Sequence, residues 1–371
     1  MTSTHLFSRD EMTQRLDRVH HRMHDLGLEA LVATPPANVR YLTGFKGEPR
    51  ALLVTPDHFL LVTALRTLPW AKDQTTPLQD ALELATSDEP ASVIASRLSK
   101  KGLSIGLDQG IPHPTLLHWQ KALAPAEVAP HSVIEHVRRL KSPAEIALMR
   151  QSQELNEAIF AAVLPQIRPH MTERGVQGLL LAEMARHETV DAYSFPPIVA
   201  VGPNCWEIHH LPDHTVIGRD QMLLLDLGVI RRGYASDMTR TICLGKASPE
   251  MQDIHEIVTA ALEAATWAAL ADTSNRAVDG VAREIITRAG HGEVFTHGLG
   301  HQIGLQAHDP APPLSQKAPE IPLEPGMAFT IEPGIYLKNR FGVRTEDVVV
   351  ITEDQPRNLT RPSHDLLELP V

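Results

Sequence analysis

The spacing of apolar residues predicts the first element of the chain. Near the N-terminus apolar residues recur every three or four positions, at Met12, Leu16, Val19, Met23 and Leu26. This spacing is typical of an amphipathic α-helix. Short apolar runs bounded by Pro, Gly and Asp then predict β-strands at 29–34, 51–55, 59–63 and 103–108. Because a helical segment at 91–102 precedes the last strand, we expect a compact α/β unit here.

A second region begins at "VRRLKSPAEIALMRQS" (137–152). Ser142 is a candidate N-cap, Pro143 suits the first helical position, and Glu145 completes a capping box. We therefore predict a helix from this point to about Leu164. Further helices are predicted at 172–187, 249–271 and 276–289. The length of 371 residues suggests two domains, and the pattern places them at 1–136 and 137–371.

Charge and composition exclude several classes of partner. The formal net charge is −11, and no Lys/Arg run is longer than the pairs Arg138-Arg139 and Arg231-Arg232. Nucleic acids and anionic membranes need a basic footprint, so neither is an expected partner. No apolar stretch approaches the roughly 20 residues that cross a bilayer. The charged N-terminus has no signal-peptide segment, and two cysteines, Cys205 and Cys243, are too few for a disulfide framework. We expect reduced thiols and a cytoplasmic protein.

The segment "HGLGHQIGLQAHD" (297–309) contains several candidate functional residues. It carries His297, His301 and His308, separated by small glycines. The chain has 20 histidines, so these three are informative only if other residues supply partners.

Acidic residues in apolar runs are the candidate partners. In "QMLLLDLGVIRRGYASDMTRTICLG" (221–245) two apolar runs flank Arg231-Arg232, which predicts a hairpin. If those two arginines form the loop, Asp226 and Asp237 face each other across the strand pair. Opposed like charges are destabilising unless a cation lies between them. Arg-Arg is poor chemistry for a two-residue turn, so the register depends on that assumption.

Two glutamates further along the chain extend this set. Glu332 ends an apolar strand in "MAFTIEPGIYL", and Glu346 lies within "FGVRTEDVVVIT". Four buried carboxylates would be too costly without partners. Two divalent cations would neutralise them, and paired metals form a known hydrolytic arrangement. The oxygen-rich ligand set favours Mn²⁺, with Co²⁺ or Zn²⁺ as alternatives.

These motifs resemble those of the pita-bread metallopeptidases. The matching segments are "LLLDLGVIRRGYASDMTRT", "HGLGHQIGLQAHD", "FTIEPGIYL" and "GVRTEDVVVIT", in family order and with closely matching spacing. Within the group the chain is similar to Xaa-Pro dipeptidases (prolidases) and aminopeptidase P. The detailed resemblance runs from about 137 to the end, whereas the first region matches in size, α/β character and the segment "NVRYLTGF" (38–45). The implied fold is a small creatinase-like α/β domain followed by an α+β pita-bread catalytic domain.

The resemblance implies a role for each candidate residue. The expected ligands of two metal ions are Asp226, Asp237, His301, Glu332 and Glu346. Glu332 would also take and return a proton while an activated water attacks the carbonyl before proline. His308 would stabilise the oxyanion, His297 would line the substrate site, and His209 would contact the substrate. Arg344 would orient the surroundings of Glu346, or form a structural ion pair. His210 and His214 are expected to be bystanders.

Several related activities compete with this interpretation. A methionine aminopeptidase would share the metal site but usually lacks an N-terminal domain of this size. Metal-free relatives such as creatinase, and a non-enzymatic peptide-binding module, would be expected to have lost ligands. Within the metallopeptidases, a dipeptidase, an aminopeptidase P acting on longer peptides and a hydrolase of a proline-like small amide all remain open. The resemblance also implies a homodimer.

Selectivity for dipeptides needs a group that binds the substrate's terminal carboxylate. Many prolidases that this chain resembles carry an arginine shortly before "EPG", but the region here offers only Lys317. Arginine suits a carboxylate because its planar fork matches the two oxygens. We hypothesise that Arg50, in "KGEPR", supplies this clamp from a second subunit, with Arg40 and Lys46 as reserves. The alternative is that Arg50 is a solvated loop residue.

Overall fold

The chain forms two compact units. The computed structural model describes residues 7–98, 102–361 and 363–370. It divides the chain into Met1–Arg138 and Arg139–Val371. The predicted boundary after residue 136 falls inside the short helix Ile134–Arg138.

The first unit is a six-stranded sheet with helices. Its strands are β1 (Ala30–Ala33), β2 (Pro49–Val54), β3 (Phe59–Thr63), β4 (Glu83–Thr86), β5 (Ser104–Leu107) and β6 (Glu127–Pro130). Its helices are α1 (Arg9–Asp25), α2 (Pro36–Thr43), α3 (Leu68–Gln74), α4 (Pro90–Arg97), α5 (His113–Ala122) and α6 (Ile134–Arg138). The strand order is β4-β3-β2-β1-β5-β6. The four predicted strands are confirmed in this unit.

Helix α1 forms where the apolar spacing predicts it. The Ser8 side chain caps its first turn by accepting a hydrogen bond from the Glu11 amide. Met12, Val19 and Met23 are buried on one face. The predicted helix at 91–102 corresponds to α4, and residues 99–101 of that prediction lie outside the described part of the chain.

The second unit contains four long helices and several small sheets. The helices are α7 (Pro143–Val163), α8 (Glu173–Arg186), α9 (Pro249–Ala268) and α10 (Asn275–Arg288). The strands before α9 are β7 (Ala192–Tyr193), β8 (Ile198–Val201), β9 (Gln221–Leu227), β10 (Val229–Arg231), β11 (Tyr234–Ala235) and β12 (Met238–Leu244). Those after α10 are β13 (Ala328–Ile331), β14 (Gly334–Leu337), β15 (Phe341–Arg344), β16 (Asp347–Val350), β17 (Arg357–Asn358) and β18 (Glu368–Leu369). The predicted helices are confirmed, including the capping box between Ser142 and Glu145.

Strand β9 lies between two hydrophobic cores. Because its side chains alternate in direction, it contributes residues to both. Leu223, Leu225 and Leu227 join the core that includes residues of α7 and α8. Met222 and Leu224 join the core that includes residues of α9 and α10. Position 226, two residues after Leu224, continues the second row of side chains. The apolar alternation therefore determines which way a carboxylate at 226 points.

The predicted register of the central hairpin is wrong. Ile230 pairs with Ala235, so the turn is formed by Arg232-Gly233 instead of Arg231-Arg232. Both turn residues have positive φ, at 50° and 87°, which glycine accommodates at little cost and which two-residue hairpin turns favour. Moving the turn by one residue shifts every pairing. Asp226 consequently faces Thr239, and Asp237 lies one residue before β12.

The described residues also bear on the membrane and disulfide expectations. Among them, no helix combines the length and apolar character that a bilayer crossing requires. Cys205 and Cys243 are buried free thiols, as predicted.

Candidate metal centre

The two aspartates approach the centre from β9 and from the break before β12. Asp226 extends the apolar run of β9, and its side chain is buried. The strand pair is interrupted at Asp237, whose amide donates to Gln153 Oε1 of α7 at 3.2 Å. Gly228 permits this close approach, because a Cβ there would lie 2.1 Å from the Ser236 carbonyl oxygen. The interruption before β12 thus places both carboxylates at the same end of the paired strands β9 and β12.

His301 is held against β13 by contacts that only a glycine allows beside it. A Cβ on Gly300 would lie 1.9 Å from the Thr330 carbonyl oxygen. The His301 amide donates to Thr330 Oγ1 at 3.0 Å, and the Thr330 amide donates to the His301 carbonyl at 2.9 Å. The imidazole Nε2 then lies 3.7 Å from Asp237 Oδ2 and 3.5 Å from Glu332 Oε1. The histidine in the middle of the Gly-rich segment therefore meets two of the four acidic residues.

The two glutamates follow strands in the last third of the chain. Glu332 comes directly after β13, and its Oε1 accepts a hydrogen bond from Thr330 Oγ1 at 3.1 Å. Glu346 lies in the two-residue break between β15 and β16, not within a continuous strand. Its Oε2 accepts from Thr239 Oγ1 at 2.7 Å. Thr239, the residue opposite Asp226, therefore links the two strand systems.

The assembled residues fit divalent cations. Ligand atoms of Asp237, His301 and Glu346 all lie within 4.8 Å of one another. Burial raises the pKa of Asp237 well above its usual range, and the carboxylates of Glu346, Asp226 and Glu332 raise it further. Asp226 Oδ1 is buried without a hydrogen-bond partner. Clustered carboxylates with an unsatisfied oxygen are the surroundings in which a cation is stabilising.

The imidazole in this cluster is neutral. Burial, followed by the neighbouring His308, lowers the pKa of His301 to about 3. A neutral ring nitrogen is the form that binds a metal ion. Burial likewise raises the pKa of Glu332 to about 7, near the range in which a group can exchange a proton at neutral pH.

Arg344 is the buried cation of the centre. Its Nη2 donates to Asp226 Oδ2 at 2.7 Å, and its Nε donates to Thr239 Oγ1 at 3.1 Å. Its Nη1 lies 3.2 Å from the Tyr336 hydroxyl. The guanidinium therefore hydrogen-bonds to Asp226 directly and is connected to Glu346 by hydrogen bonds through Thr239.

The remaining predicted histidines surround the centre at different depths. His297 Nε2 lies 2.9 Å from the Tyr336 hydroxyl, and burial lowers the pKa of His297 to about 4. His308 is exposed, and its ring stacks on that of His301 with centroids 3.6 Å apart. His209 is exposed and lines the same cavity as His308. The structure thus brings all three histidines to the region of the carboxylates.

A cavity of about 620 Å³ opens over these residues. Apolar side chains from four segments form part of its wall, among them Phe195, Ile208, Ile230 and Leu305. Of the described residues that line it, Arg344 alone carries a permanent positive charge. That guanidinium is already bonded to Asp226. The cavity therefore offers apolar contacts and a carboxylate cluster, without an uncommitted arginine or lysine from this unit.

Arg50, the proposed carboxylate clamp, lies in the first unit on β2. Its Nη2 is 3.4 Å from Asp88 Oδ1 in an exposed ion pair. Its part in substrate binding stays a prediction.

Several residues of the site were missed by sequence reasoning. Tyr336 and Thr239 connect predicted residues, yet an isolated Tyr or Thr in a strand has no distinctive pattern. His210, expected to be a bystander, is buried between Glu173 Oε2 at 2.7 Å and Glu207 Oε2 at 2.8 Å. The pair "HH" at 209–210 is apparent in the sequence. Its partner Glu173 is 37 positions away, however, so the sequence does not indicate that the two residues meet.

Comparison with known proteins gives two family matches. Residues 147–353 match the model of metallopeptidase family M24, and residues 15–140 match the creatinase/prolidase N-terminal domain. An Xaa-Pro dipeptidase from Lactobacillus delbrueckii subsp. lactis is 31% identical over 379 residues, covering 96% of this chain and 99% of that protein.

Solved structures show the same architecture. The structure of an Xaa-Pro dipeptidase from Bacillus anthracis has a TM-score of 0.89 and 28% identity, covering 96% of this chain and all of that one (100%). The structure of an X-Pro aminopeptidase from Thermotoga maritima MSB8 has a TM-score of 0.84 and 29% identity, covering 94% of this chain and 100% of that one. These similarities confirm the predicted creatinase-like domain and pita-bread catalytic domain.

Proposed function

Because the chain belongs to metallopeptidase family M24, we propose that it is a two-metal peptidase that hydrolyses Xaa-Pro bonds, with Xaa-Pro dipeptides as its main substrates. The observation that carries the proposal is the convergence of Asp237, His301 and Glu346 to within 4.8 Å, in a chain similar over its whole length to an Xaa-Pro dipeptidase. We further propose Mn²⁺ as the metal, because oxygen ligands dominate the set, and a cytoplasmic homodimer as the working form.

The proposed metal ligands are Asp226, Asp237, His301, Glu332 and Glu346. Bound divalent ions would acidify water and polarise the substrate carbonyl. Glu332 would accept a proton at its carboxylate and return it to the proline nitrogen. His308 would donate a hydrogen bond to the oxyanion. His297 and His209 would contact the substrate, and Arg344 would orient Asp226.

The metal assignment is tested with two variants. Asp237→Asn and His301→Ala should each lose more than nine-tenths of turnover under limiting metal, because each removes a ligand from the shared site. Neither should unfold the chain. Asp354→Asn and His214→Ala change exposed residues of the same types and serve as matched controls. Turnover of an Xaa-Pro dipeptide with Mn²⁺, and with a chelator, is the measurement. A variant that keeps more than a tenth of wild-type turnover would count against the assignment.

The lining of the cavity makes an aminopeptidase the second candidate. Arg344 is committed to Asp226, so this unit leaves a substrate's terminal carboxylate without an uncommitted arginine among the described lining residues. An aminopeptidase acting on longer peptides does not need that contact. Hydrolysis of an Xaa-Pro dipeptide compared with an Xaa-Pro-Xaa tripeptide distinguishes the two activities.

We propose that Arg50 of the partner subunit supplies the carboxylate contact and makes the protein a dipeptidase. Arg50→Ala should raise KM for Xaa-Pro dipeptides by about tenfold or more, since a charged hydrogen bond contributes roughly 1.5–3 kcal/mol. Activity on tripeptides should barely change. Arg66→Ala removes another exposed, ion-paired arginine of the first unit and is the control. Equal effects of Arg50→Ala on both substrates, or none on either, would favour the aminopeptidase.

A further inference from the structure

The segment from Glu207 to Asp213 places His209 at the cavity but makes no contact that fixes the orientation of its imidazole ring. His209 is exposed, and within the described residues its ring makes no hydrogen bond. It lines the same cavity as Asp226 and His308. The placement of this ring must therefore come from the backbone on either side of it.

Ile208, the residue before His209, is held by a hydrogen bond from an arginine of the candidate metal centre. The Ile208 carbonyl accepts a hydrogen bond from Arg344 Nη1 at 3.3 Å. The same guanidinium holds Asp226 at 2.7 Å. One side of His209 is thereby tied to the carboxylate cluster.

The residue after His209 is fixed by two carboxylates. His210 is 6% exposed, with Nε2 2.7 Å from Glu173 Oε2 and Nδ1 2.8 Å from Glu207 Oε2. Ionised carboxylates only accept hydrogen bonds, so both ring nitrogens must donate. Among the states of histidine, only the imidazolium has two N–H donors. The geometry therefore requires a charged His210 between two carboxylates.

Glu173 is the buried and most extensively hydrogen-bonded member of this arrangement. Its carboxylate is fully buried at the first turn of α8. One oxygen accepts from the Val201 amide at 2.8 Å and from Asn204 Nδ2 at 3.0 Å. The other accepts from the Asp213 amide at 3.1 Å. Glu173 thus joins α8 and β8 to both His210 and the far end of the segment.

We propose that Glu173, His210 and Glu207 form a carboxylate–imidazolium–carboxylate clamp that holds His209 in its position at the cavity. His210 is a positioning residue for substrate binding, and it acts through the placement of His209. The inference rests on the proposed function in one respect, that His209 contacts the substrate.

The charge of the clamp depends on pH. Burial opposes protonation of His210, but its hydrogen bonds to Glu207 and Glu173 outweigh burial and raise its pKa above the ordinary 6.5. Other ionisable groups near it are Asp213 and His209 on its own segment and Arg174 on α8, whose guanidinium donates to the Pro212 carbonyl. A raised histidine pKa means that the clamp is complete below about 6.5 and is lost as pH rises through the raised value.

His210→Gln tests the clamp in the full chain loaded with Mn²⁺. Amide hydrogen exchange of the segment 207–213 should become about tenfold faster or more, because one charged anchor is lost. KM for an Xaa-Pro dipeptide should rise by about tenfold at pH 6.5, with a much smaller change in kcat. The ratio of variant to wild-type KM should fall toward one as pH rises, since the wild type then loses its clamp too. A purely structural role would leave this ratio independent of pH.

Controls make the outcomes distinguishable. His214→Gln removes an exposed histidine four residues further along and should leave exchange and KM unchanged. Glu207→Gln removes only the half-exposed carboxylate of the clamp. Its exchange rate and KM should lie between those of the wild type and His210→Gln. This variant also tests the clamp if His210→Gln fails to fold. Exchange and KM matching those of His214→Gln, or a KM ratio constant with pH, would overturn the clamp. A wild type without dipeptide hydrolysis would refute the proposed function, whereas the exchange comparison would still test the clamp.

Discussion

Replacing Arg344 with methionine should strongly destabilise the metal-free protein. Arg344 is 2% exposed, and its guanidinium makes four hydrogen bonds, to Asp226, Thr239, Tyr336 and the Ile208 carbonyl. Methionine fills a similar volume but leaves the buried Asp226 carboxylate without its counter-charge.

The size of the effect follows from the cost of a buried charge that loses its partner. Removing one member of a buried ion pair typically costs about 3–5 kcal/mol. For a domain of roughly 150–250 residues, each kcal/mol lowers Tm by about 2–4 °C. The expected decrease in Tm is therefore about 6–20 °C for the unit Arg139–Val371.

The assay is thermal unfolding in the presence of a chelator, so that metal binding does not mask the change. Arg340→Met is the matched control, because Arg340 forms an exposed ion pair with Glu250, and exposed pairs contribute about 0–1 kcal/mol. A decrease in Tm for Arg344→Met that is no larger than the decrease for the control would refute the idea that Arg344 compensates the negative charge of Asp226.

Two further predictions concern histidines. His308→Ala should lower kcat by about 10²–10³-fold, as loss of an oxyanion donor does, with metal content by elemental analysis unchanged; loss of metal would instead mean that His308, not His301, is the ligand. His364 donates to the buried Asp347 at 2.9 Å, and this bond raises the pKa of His364. The stabilisation of the folded protein by the His364–Asp347 hydrogen bond should be complete below about pH 6.5 and decline as pH rises through the raised pKa of His364. His364→Gln should remove that alkaline decline in Tm, His214→Gln should keep it, and identical profiles would contradict the assignment.

Helices could be predicted because their signals are local. Ser142 and Glu145 are three residues apart and form the capping box that the sequence indicates. The apolar row of α1 likewise needs only its own 17 residues. Such elements are specified by neighbours along the chain, so one sequence suffices to locate them.

The hairpin register and the polar links of the site could not be predicted in this way. The register depended on whether the turn was Arg231-Arg232 or Arg232-Gly233, and a one-residue difference changed the partner of Asp226. Tyr336 joins His297 to Arg344 only because separate strands meet. Long-range polar contacts leave no periodic pattern, so their members resemble ordinary strand residues until the fold is known.

The two native thiols have a practical consequence for labelling experiments. Cys205 and Cys243 are both fully buried, and burial raises their pKa values to about 12 and about 11. Thiol reagents react with the thiolate, so neither cysteine should be modified in the folded protein near neutral pH. A cysteine introduced at the exposed position 211 would then be the single reactive thiol, and a fluorophore there would report the motion of the segment that carries His209 without any change to the native cysteines.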